Sequence, residues 1–116
     1  MKKILLIEDD PFLIDIYSTK FKEVGYNVMV AEEGETGLKK IKEEKPDLVL
    51  LDIVLPNFTG WEILRKVDKK TKIIILSNLG EKNEIEKGMK LGAAKYLVKA
   101  HYTPTEVVAE IKKILK

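Results

Sequence analysis

Five short aliphatic runs recur along the chain, each followed by a stretch whose apolar residues recur at helical spacing. The runs are ILLI (4–7), VMVA (28–31), LVLL (48–51), IIIL (73–76) and YLV (96–98). The helically spaced residues are Phe12, Ile16, Tyr17, Phe21, Leu38, Ile41, Ile63, Leu64, Val67, Ile85, Met89, Val107, Val108, Ile111, Ile114 and Leu115. Because crossover helices usually join parallel strands, this alternation predicts an α/β fold with a doubly wound, five-stranded parallel sheet.

Local signals mark where the predicted helices begin and end. Gly25 and Gly92 stand where a helix end favours a left-handed residue, and Pro46 stops a helix after Lys45. The segment TPTE (103–106) predicts the start of the last helix, because it supplies a capping hydroxyl, a proline at the first helical position and a reciprocal glutamate. No linker or repeat divides the chain, so we expect one compact domain.

Composition narrows the classes of function. The chain has no cysteine, which excludes disulfides and thiolate metal sites and suits a reducing cytoplasm. Its 21 basic and 19 acidic residues give a net charge of +2, and every basic residue except Arg65 is lysine. Lysines spread beside glutamates favour a solvated surface over a nucleic-acid site. The apolar run near the start is too short for an export or membrane segment, so we expect a cytoplasmic protein.

Polar side chains follow four of the five predicted strands. Glu8 and Asp9 come after the first run, Asp52 after the third, Ser77 after the fourth and Lys99 after the fifth. Only the second strand adds nothing distinct, and we expect it at the outer edge of the sheet. Parallel strands all end on the same side, where such folds bind ligands. We therefore expect three carboxylates, one hydroxyl and one ammonium along one edge.

This set of side chains suits magnesium and phosphate chemistry. Mg²⁺ binds one or two carboxylates, keeps several waters and commonly completes its shell with phosphate oxygens. A carboxylate beside it can accept a phosphoryl group, a transfer that depends mainly on positive charge around the phosphoryl oxygens. Lys99 would provide part of that charge, and the Ser77 hydroxyl can donate to the attached group.

Four motifs carry a resemblance to a known family. They are the acidic pair in IEDD (7–10), LDIVLPNFTG (51–60) with its acid, proline and glycine, the strand-ending Ser77, and YLVK (96–99). In this order the motifs are typical of the receiver domain of two-component response regulators, which the chain resembles over residues 1–116. The resemblance implies a single-domain regulator of the chemotaxis type or a receiver domain from a longer chain. The resemblance implies a (βα)5 flavodoxin-like fold with strand order 2-1-3-4-5.

The resemblance also implies a role for each residue of the acidic pocket. Asp52 would be the phosphorylated residue, receiving its phosphoryl group from a sensor histidine kinase or a histidine phosphotransfer protein. Mg²⁺ would be held by Asp9, Asp52 and the backbone carbonyl of Val54, with Glu8 acting through water. Lys99 and Ser77 would complete the phosphoryl-transfer site.

A phosphorylation-dependent switch follows from the same resemblance. Ser77 would move toward the phosphoryl group and the ring of Tyr96 would turn into the vacated space. The surface of the fourth helix, fifth strand and fifth helix would change shape and alter affinity for a downstream protein partner. The chain would thus be a signalling switch with self-directed phosphotransfer and autodephosphorylation, not a turnover enzyme, and would not contact nucleic acid directly.

Several conspicuous residues have structural interpretations. Asp10 precedes Pro11 and an apolar periodic stretch, which is typical of a helix N-cap. Phe58 and Trp61 are expected to pack over the loop after the third strand. His101, the single histidine, has no partner in the sequence pattern and is expected at the surface.

The sequence departs from the receiver pattern near the fourth and fifth strands. Receivers usually follow the lysine with proline, often through a cis bond, whereas Ala100 follows Lys99 here. We expect either an altered loop or a retained cis peptide, which costs about 2.5–4 kcal/mol before a non-proline residue. Asn78 is larger than the usual residue and is expected to narrow access for the phosphodonor. Val54 and Leu79, aliphatic at positions that modulate hydrolysis in the family, predict slow loss of the phosphoryl group.

Two other functions are compatible with parts of the pattern. A degenerate receiver would be a protein-binding module that acts independently of phosphate. Ser77, Lys99 and the acidic set argue against it, while Asn78 and Ala100 leave it open. A metal-dependent phosphatase would need a second acid shortly after its nucleophile, where this chain has Val54.

Overall fold

The computed structural model describes residues 1–116 as five strands, five α-helices and one short 3-10 helix. The strands are β1 (Lys3–Ile7), β2 (Asn27–Ala31), β3 (Leu48–Leu51), β4 (Ile73–Ser77) and β5 (Lys95–Val98). The helices are α1 (Pro11–Glu23), α2 (Gly34–Glu44), α3 (Gly60–Lys66), α4 (Lys82–Lys90) and α5 (Pro104–Ile114), with the 3-10 helix at Lys99–His101. Strands and helices alternate as the sequence pattern predicts.

The five strands form one parallel sheet. Their order is β2-β1-β3-β4-β5, so the predicted fold class and strand order are confirmed and β2 lies at an outer edge. In register, Ile7 at the end of β1 pairs with Ala31 on one side and with Leu51 on the other. This register aligns the ends of β1 and β3, and the residues that follow them, along one edge of the sheet.

Apolar side chains from the strands build a core on each face of the sheet. Alternate residues of a strand point to opposite faces, so Leu5 and Leu51 belong to one cluster, whereas Ile4 and Leu50 belong to the other. All four residues of β3 and all five of β4 are buried. Burial on both faces explains why these strands are continuous aliphatic runs rather than alternating patterns.

The helix boundaries follow the predicted signals. Oδ1 of Asp10 accepts the N–H of Phe12 at 2.9 Å, so the N-cap prediction is confirmed. Gly25 and Gly92 have φ angles of 97° and 106°, in the left-handed region that favours glycine. Thr103 and Glu106 cap each other reciprocally at the start of α5, as their spacing predicts.

Two residues of the helical pattern are exposed instead of buried. Phe12 is 71% exposed and Met89 is 44% exposed. Both residues lie near an end of their helix, and helical spacing identifies a stripe of residues without showing how far along the helix that stripe is covered. No helix combines the length and apolar character needed to cross a membrane.

Candidate functional site

The buried polar residues of the chain lie where strands end. Glu8, Asp52 and Ser77 are the three buried residues with polar or charged side chains, and they follow or end β1, β3 and β4. A buried charge is stable only when it is paired or hydrogen-bonded. Their concentration at one edge of the sheet therefore identifies this edge as the candidate site.

The side chain of Lys99 lies between two carboxylates. Its Nζ is 2.6 Å from Oε1 of Glu8 and 2.7 Å from Oδ2 of Asp52. The lysine side chain is only 12% exposed. The structure thus brings together residues that follow three different strands, and the ammonium offsets the repulsion between the two acids.

The three consecutive acids after β1 diverge in role. The second oxygen of Glu8, Oε2, accepts the backbone N–H groups of Asp9 and Asp10, each at 3.1 Å. Both carboxylate oxygens of Glu8 are therefore engaged, one by Lys99 and one by the backbone. Asp10 caps α1, and Asp9 remains exposed at the rim of the site.

The acidic side chains have a donor set that fits a hard cation. Glu8, Asp9 and Asp52 each offer a carboxylate oxygen, and these oxygens lie within 4.8 Å of one another. Oxygen ligands of this kind are those that Mg²⁺ prefers. Oδ1 of Asp52 also accepts the backbone N–H of Val54 at 3.2 Å, which orients the carboxylate. The residues present are therefore compatible with a magnesium site.

Electrostatic effects at the site act in opposite directions. Burial alone would lower the pKa of Lys99, but its hydrogen bonds to Asp52 and Glu8, together with the negative charges of both carboxylates, outweigh burial and hold that pKa above its ordinary value. Burial raises the pKa of Glu8, and its hydrogen bonds to Lys99 and the Asp10 amide offset only part of that rise. The ammonium thus stays charged throughout the neutral range.

The start of α3 packs directly against the backbone around Asp52. The N–H of Gly60 donates to the carbonyl of Ile53 at 2.9 Å. A Cβ placed on Gly60 would lie 2.6 Å from the carbonyl oxygen of Asp52 and 2.8 Å from Cα of Ile53. Only glycine allows this approach, which explains the glycine of the LDIVLPNFTG motif.

Ser77 and Tyr96 both contact the loop after β4. Ser77 is fully buried, and its Oγ accepts the N–H of Leu79 at 3.3 Å. The hydroxyl of the half-buried Tyr96 donates to the carbonyl of Leu79. The ring lies against α4, where a Cβ on Gly88 would be 2.8 Å from Cδ2 of Tyr96. Leu79 is therefore a shared partner of the two predicted switch residues.

The segment after Lys99 has the altered loop, the first of the two alternatives raised by Ala100. All peptide bonds are trans, and Lys99–His101 forms a 3-10 turn. The backbone N–H of Ala100 donates to Oδ1 of Asn78 at 3.2 Å. Sequence reasoning missed this hydrogen bond, although both residues stood out as departures from the receiver pattern.

The aromatic and histidine residues occupy structural or surface positions. Phe58 and Trp61 are partly buried against one core cluster, as expected. The Nζ of Lys87 lies 4.3 Å from the ring centroid of Trp61, which links α4 to α3. His101 is exposed at the end of the 3-10 turn, in agreement with its expected surface position.

Comparison with known proteins decides the family. The profile of the family described as response regulator receiver domain matches residues 4–112. The chain belongs to this family. Receiver domains are signalling domains of two-component systems that interact with histidine kinases and phosphotransfer proteins. The resemblance inferred from the four motifs is therefore confirmed.

Individual relatives resemble this receiver domain along nearly its whole length. The alkaline phosphatase synthesis transcriptional regulatory protein PhoP of Bacillus subtilis (strain 168) is 36% identical over 118 residues, which cover 99% of this chain and 49% of that protein. The chain thus spans about half the length of this curated relative.

Solved structures of receiver domains superpose closely on this one. A CheY-like receiver domain protein from Methanospirillum hungatei JF-1 has a TM-score of 0.91 and 30% identity, covering 97% of this chain and 92% of that one. The BeF3-activated N-terminal receiver domain of Klebsiella pneumoniae RstA has a TM-score of 0.90 and 28% identity, covering 99% of each chain.

Proposed function

We propose that residues 1–116 form a receiver unit that accepts a phosphoryl group on Asp52 from a sensor histidine kinase or a histidine phosphotransfer protein. The observation that carries this proposal is the Lys99 ammonium, held within 2.7 Å of both Glu8 and Asp52. A protonated lysine next to a carboxylate nucleophile supplies the positive charge that phosphoryl transfer requires. The carboxylate oxygen of Asp9 completes the acidic group.

Phosphoryl transfer at this site needs few covalent steps from the protein. A carboxylate oxygen of Asp52 attacks phosphorus, and the P–N bond of the donor phosphohistidine breaks. The electron pair of that bond stays on the leaving imidazole nitrogen. The Lys99 ammonium, now at Oδ2 of Asp52, donates to the phosphoryl oxygens as negative charge accumulates on them. The reaction thus depends on positioning and charge.

The magnesium ligands in this proposal are Asp9, Asp52 and the backbone carbonyl of Val54. Bound Mg²⁺ would neutralise charge on the phosphoryl oxygens. Glu8 would help to hold the ion through water, since Lys99 and two backbone amides already engage both oxygens of its carboxylate. Asp9 is exposed and free to turn toward the ion.

The output of the proposed switch passes through Ser77 and Tyr96. Ser77 Oγ, which accepts the N–H of Leu79, would turn to donate to the attached phosphoryl group. The ring of Tyr96, whose hydroxyl donates to the Leu79 carbonyl, would turn into the space that Ser77 vacates. Tyr96 lies in β5 against α4, so its movement changes the surface of α4, β5 and α5. We propose this surface as the binding site for a downstream protein.

The test is phosphorylation by a small donor. The protein is incubated with acetyl phosphate and Mg²⁺ and analysed by intact mass. We expect one base-labile phosphoryl group on the parent and none on Asp52→Ala. The variant Asp15→Ala removes an exposed acid from α1 and is the matched control, which should be labelled like the parent.

Two outcomes would contradict the proposal. A parent that gains no phosphoryl group would leave the phosphate-independent binding module as the remaining function of this fold. Equal labelling of Asp52→Ala and the parent would place the modification on another residue.

Omitting Mg²⁺ should slow labelling strongly. A labelling rate that does not depend on the ion would remove Asp9 and Val54 from the proposed site.

A further inference from the structure

A hydrogen bond joins two loops of the receiver domain beside the candidate site. The backbone N–H of Ala100 donates to Oδ1 of Asn78, 3.2 Å away and 22 positions earlier in the chain. Asn78 directly follows Ser77, and Ala100 directly follows Lys99. The bond therefore connects the residues adjacent to two side chains of the proposed phosphoryl-transfer site.

The Ala100 N–H needs an acceptor from outside its own turn. The first amides of any helix precede the carbonyls that could accept from them. Ala100 is the second residue of the 3-10 turn Lys99–His101, and the turn is closed at its other end by the N–H of Tyr102 donating to the Lys99 carbonyl at 3.3 Å. Asn78 thus caps the turn that begins at Lys99.

Only certain residues allow this pairing. Position 100 must carry an N–H, which proline lacks, and proline would also bias Lys99 away from helical backbone. Position 78 must carry a side-chain acceptor long enough to cross between the loops. The hydrogen bond between the two loops therefore depends on the residue types at both positions, Asn78 and Ala100.

We infer that Asn78 is a positioning residue for Lys99 in phosphoryl transfer. By accepting the Ala100 N–H, it fixes the turn that carries the Lys99 side chain to Glu8 and Asp52. The hydrogen bond also makes the segment after Ser77 and the turn at Lys99 move together. This inference rests on the proposed function, because it assigns Asn78 a role in the same reaction.

The variant Asn78→Ala tests the inference in the whole protein. We expect the rate constant for phosphorylation by acetyl phosphate in the presence of Mg²⁺ to fall about threefold to tenfold. A change of this size corresponds to the net free energy of one hydrogen bond. Hydrogen exchange of the Ala100 amide, measured by NMR, should accelerate by a similar factor. Asn27→Ala removes the same amide group from an exposed position at the start of β2 and should change neither quantity.

Two further variants separate positioning from general destabilisation. Asn78→Asp retains an acceptor oxygen, so Ala100 exchange should remain as slow as in the parent. In an Ala100→Pro background the N–H is absent, and adding Asn78→Ala should cause no further loss of rate. If Ala100→Pro does not fold, the positioning role is tested by the Ala100 exchange rates and the phosphorylation rates of Asn78→Ala and Asn78→Asp.

The possible failures are distinguishable. Equal Ala100 exchange in the parent and in Asn78→Ala would overturn the hydrogen bond. Faster exchange with an unchanged phosphorylation rate would overturn the positioning role. The exchange comparison does not depend on phosphorylation, whereas the rate comparison requires a parent that is phosphorylated on Asp52. A parent that is not labelled contradicts the proposed function and removes the positioning role with it.

Discussion

Lys99 and Glu8 form the shortest ion pair in the molecule, with 2.6 Å between Nζ and Oε1. Glu8 is almost fully buried and cannot move its charge into water. The same ammonium also serves Asp52, so a single lysine compensates two buried carboxylates. The stability of the site thus depends on this residue even before any phosphoryl group is attached.

Replacing Lys99 by methionine should therefore destabilise the fold at neutral pH. Removing one partner of a buried ion pair costs about 3–5 kcal/mol, and we expect the lower end because the site opens to solvent on the side of Asp9. Without the ammonium, Glu8 titrates at a higher pH in the folded state than in the unfolded state. Its penalty should therefore disappear as the pH falls below 4.5, its ordinary pKa.

Urea unfolding of Lys99→Met and the parent at pH 7 and pH 4 measures this effect. The difference in unfolding free energy should shrink at the lower pH. Lys112→Met, at an exposed position of α5, provides the control and should differ little from the parent at either pH. If Lys99→Met lowers the free energy of unfolding equally at both pH values, the uncompensated charge of Glu8 is not the cause of the loss.

The phosphoryl group on Asp52 should be lost slowly, and Val54→Asn should accelerate that loss. The Val54 side chain is 59% exposed beside Asp52, and Leu79 is half-buried across the site, so no polar side chain at either position orients water. An amide orients water without accepting its proton. The increase in the dephosphorylation rate should therefore stay below about a hundredfold, which is the lower end of the effect of general-base catalysis.

Dephosphorylation is followed by intact mass after removal of acetyl phosphate. Val54→Leu is the matched control, since it keeps an apolar side chain at the same exposed position, and its rate should equal that of the parent. A Val54→Asn protein that loses its phosphoryl group no faster than the parent would exclude water orientation at this position as the limiting factor.

Gly88→Ala should destabilise the domain even though alanine favours helices by about 1 kcal/mol over glycine. The added Cβ would lie 2.7 Å from Cδ1 of Ile75 and 2.8 Å from Cδ2 of Tyr96. Overpacking of this kind costs about 1–3 kcal/mol, so we expect a net loss and a displaced tyrosine ring.

A double-mutant cycle with Tyr96→Ala identifies which contact is responsible. Removal of the ring should relieve most of the cost of Gly88→Ala, giving a coupling free energy of about 1 kcal/mol in urea unfolding. Additive effects would mean that Ile75, rather than Tyr96, limits the space above Gly88.

Glu110 should contribute stability above its folded-state pKa and lose it in acid. The Lys95 ammonium, 2.8 Å away, and that of Lys113, 3.1 Å away, lower the pKa of Glu110. A lowered folded-state pKa gives stability that is present above 4.5, the ordinary value, and lost as the pH falls through the folded pKa. Glu110→Gln should therefore lower the thermal midpoint slightly at pH 7 and leave it unchanged at pH 2.

Salt provides the control for this prediction. Lys95 and Lys113 are largely exposed, so added salt should screen the pair and reduce the difference between Glu110→Gln and the parent at pH 7. A difference that persists at pH 2 would assign the effect to packing of the side chain instead of its charge.

The strands and the edge that carries the site were predictable because both depend on local patterns. An aliphatic run such as LVLL (48–51) is buried on both faces whatever its neighbours are, and the residue after it must lie at the carboxyl edge of a parallel sheet. Asp52 and Lys99 could be assigned to the same edge by this reasoning. Their contact was then confirmed by the structure.

The remaining features depend on loop conformation, which the sequence pattern does not specify. The Asn78–Ala100 hydrogen bond needs a 3-10 turn and a particular side-chain orientation in another loop. The hydrogen bond from the Asp9 N–H to the Glu8 side chain likewise needs a particular conformation of that side chain and of the segment after β1. Phe12 belongs to an apolar stripe by its spacing, but its exposure depends on which elements pack against the start of α1.

The close approach of Gly60 to the backbone of Asp52 and Ile53 has a mechanical consequence. Asp52 lies on a segment that packs directly against the start of α3, so we expect that a group added to Asp52 is not accommodated by backward movement of the end of β3. We expect displacement instead in the loops after β4 and β5, which are joined by the Asn78–Ala100 hydrogen bond and connected to Ser77 and Tyr96 through Leu79. The close packing at the end of β3 thus determines which loops of the domain can move when a group is added to Asp52.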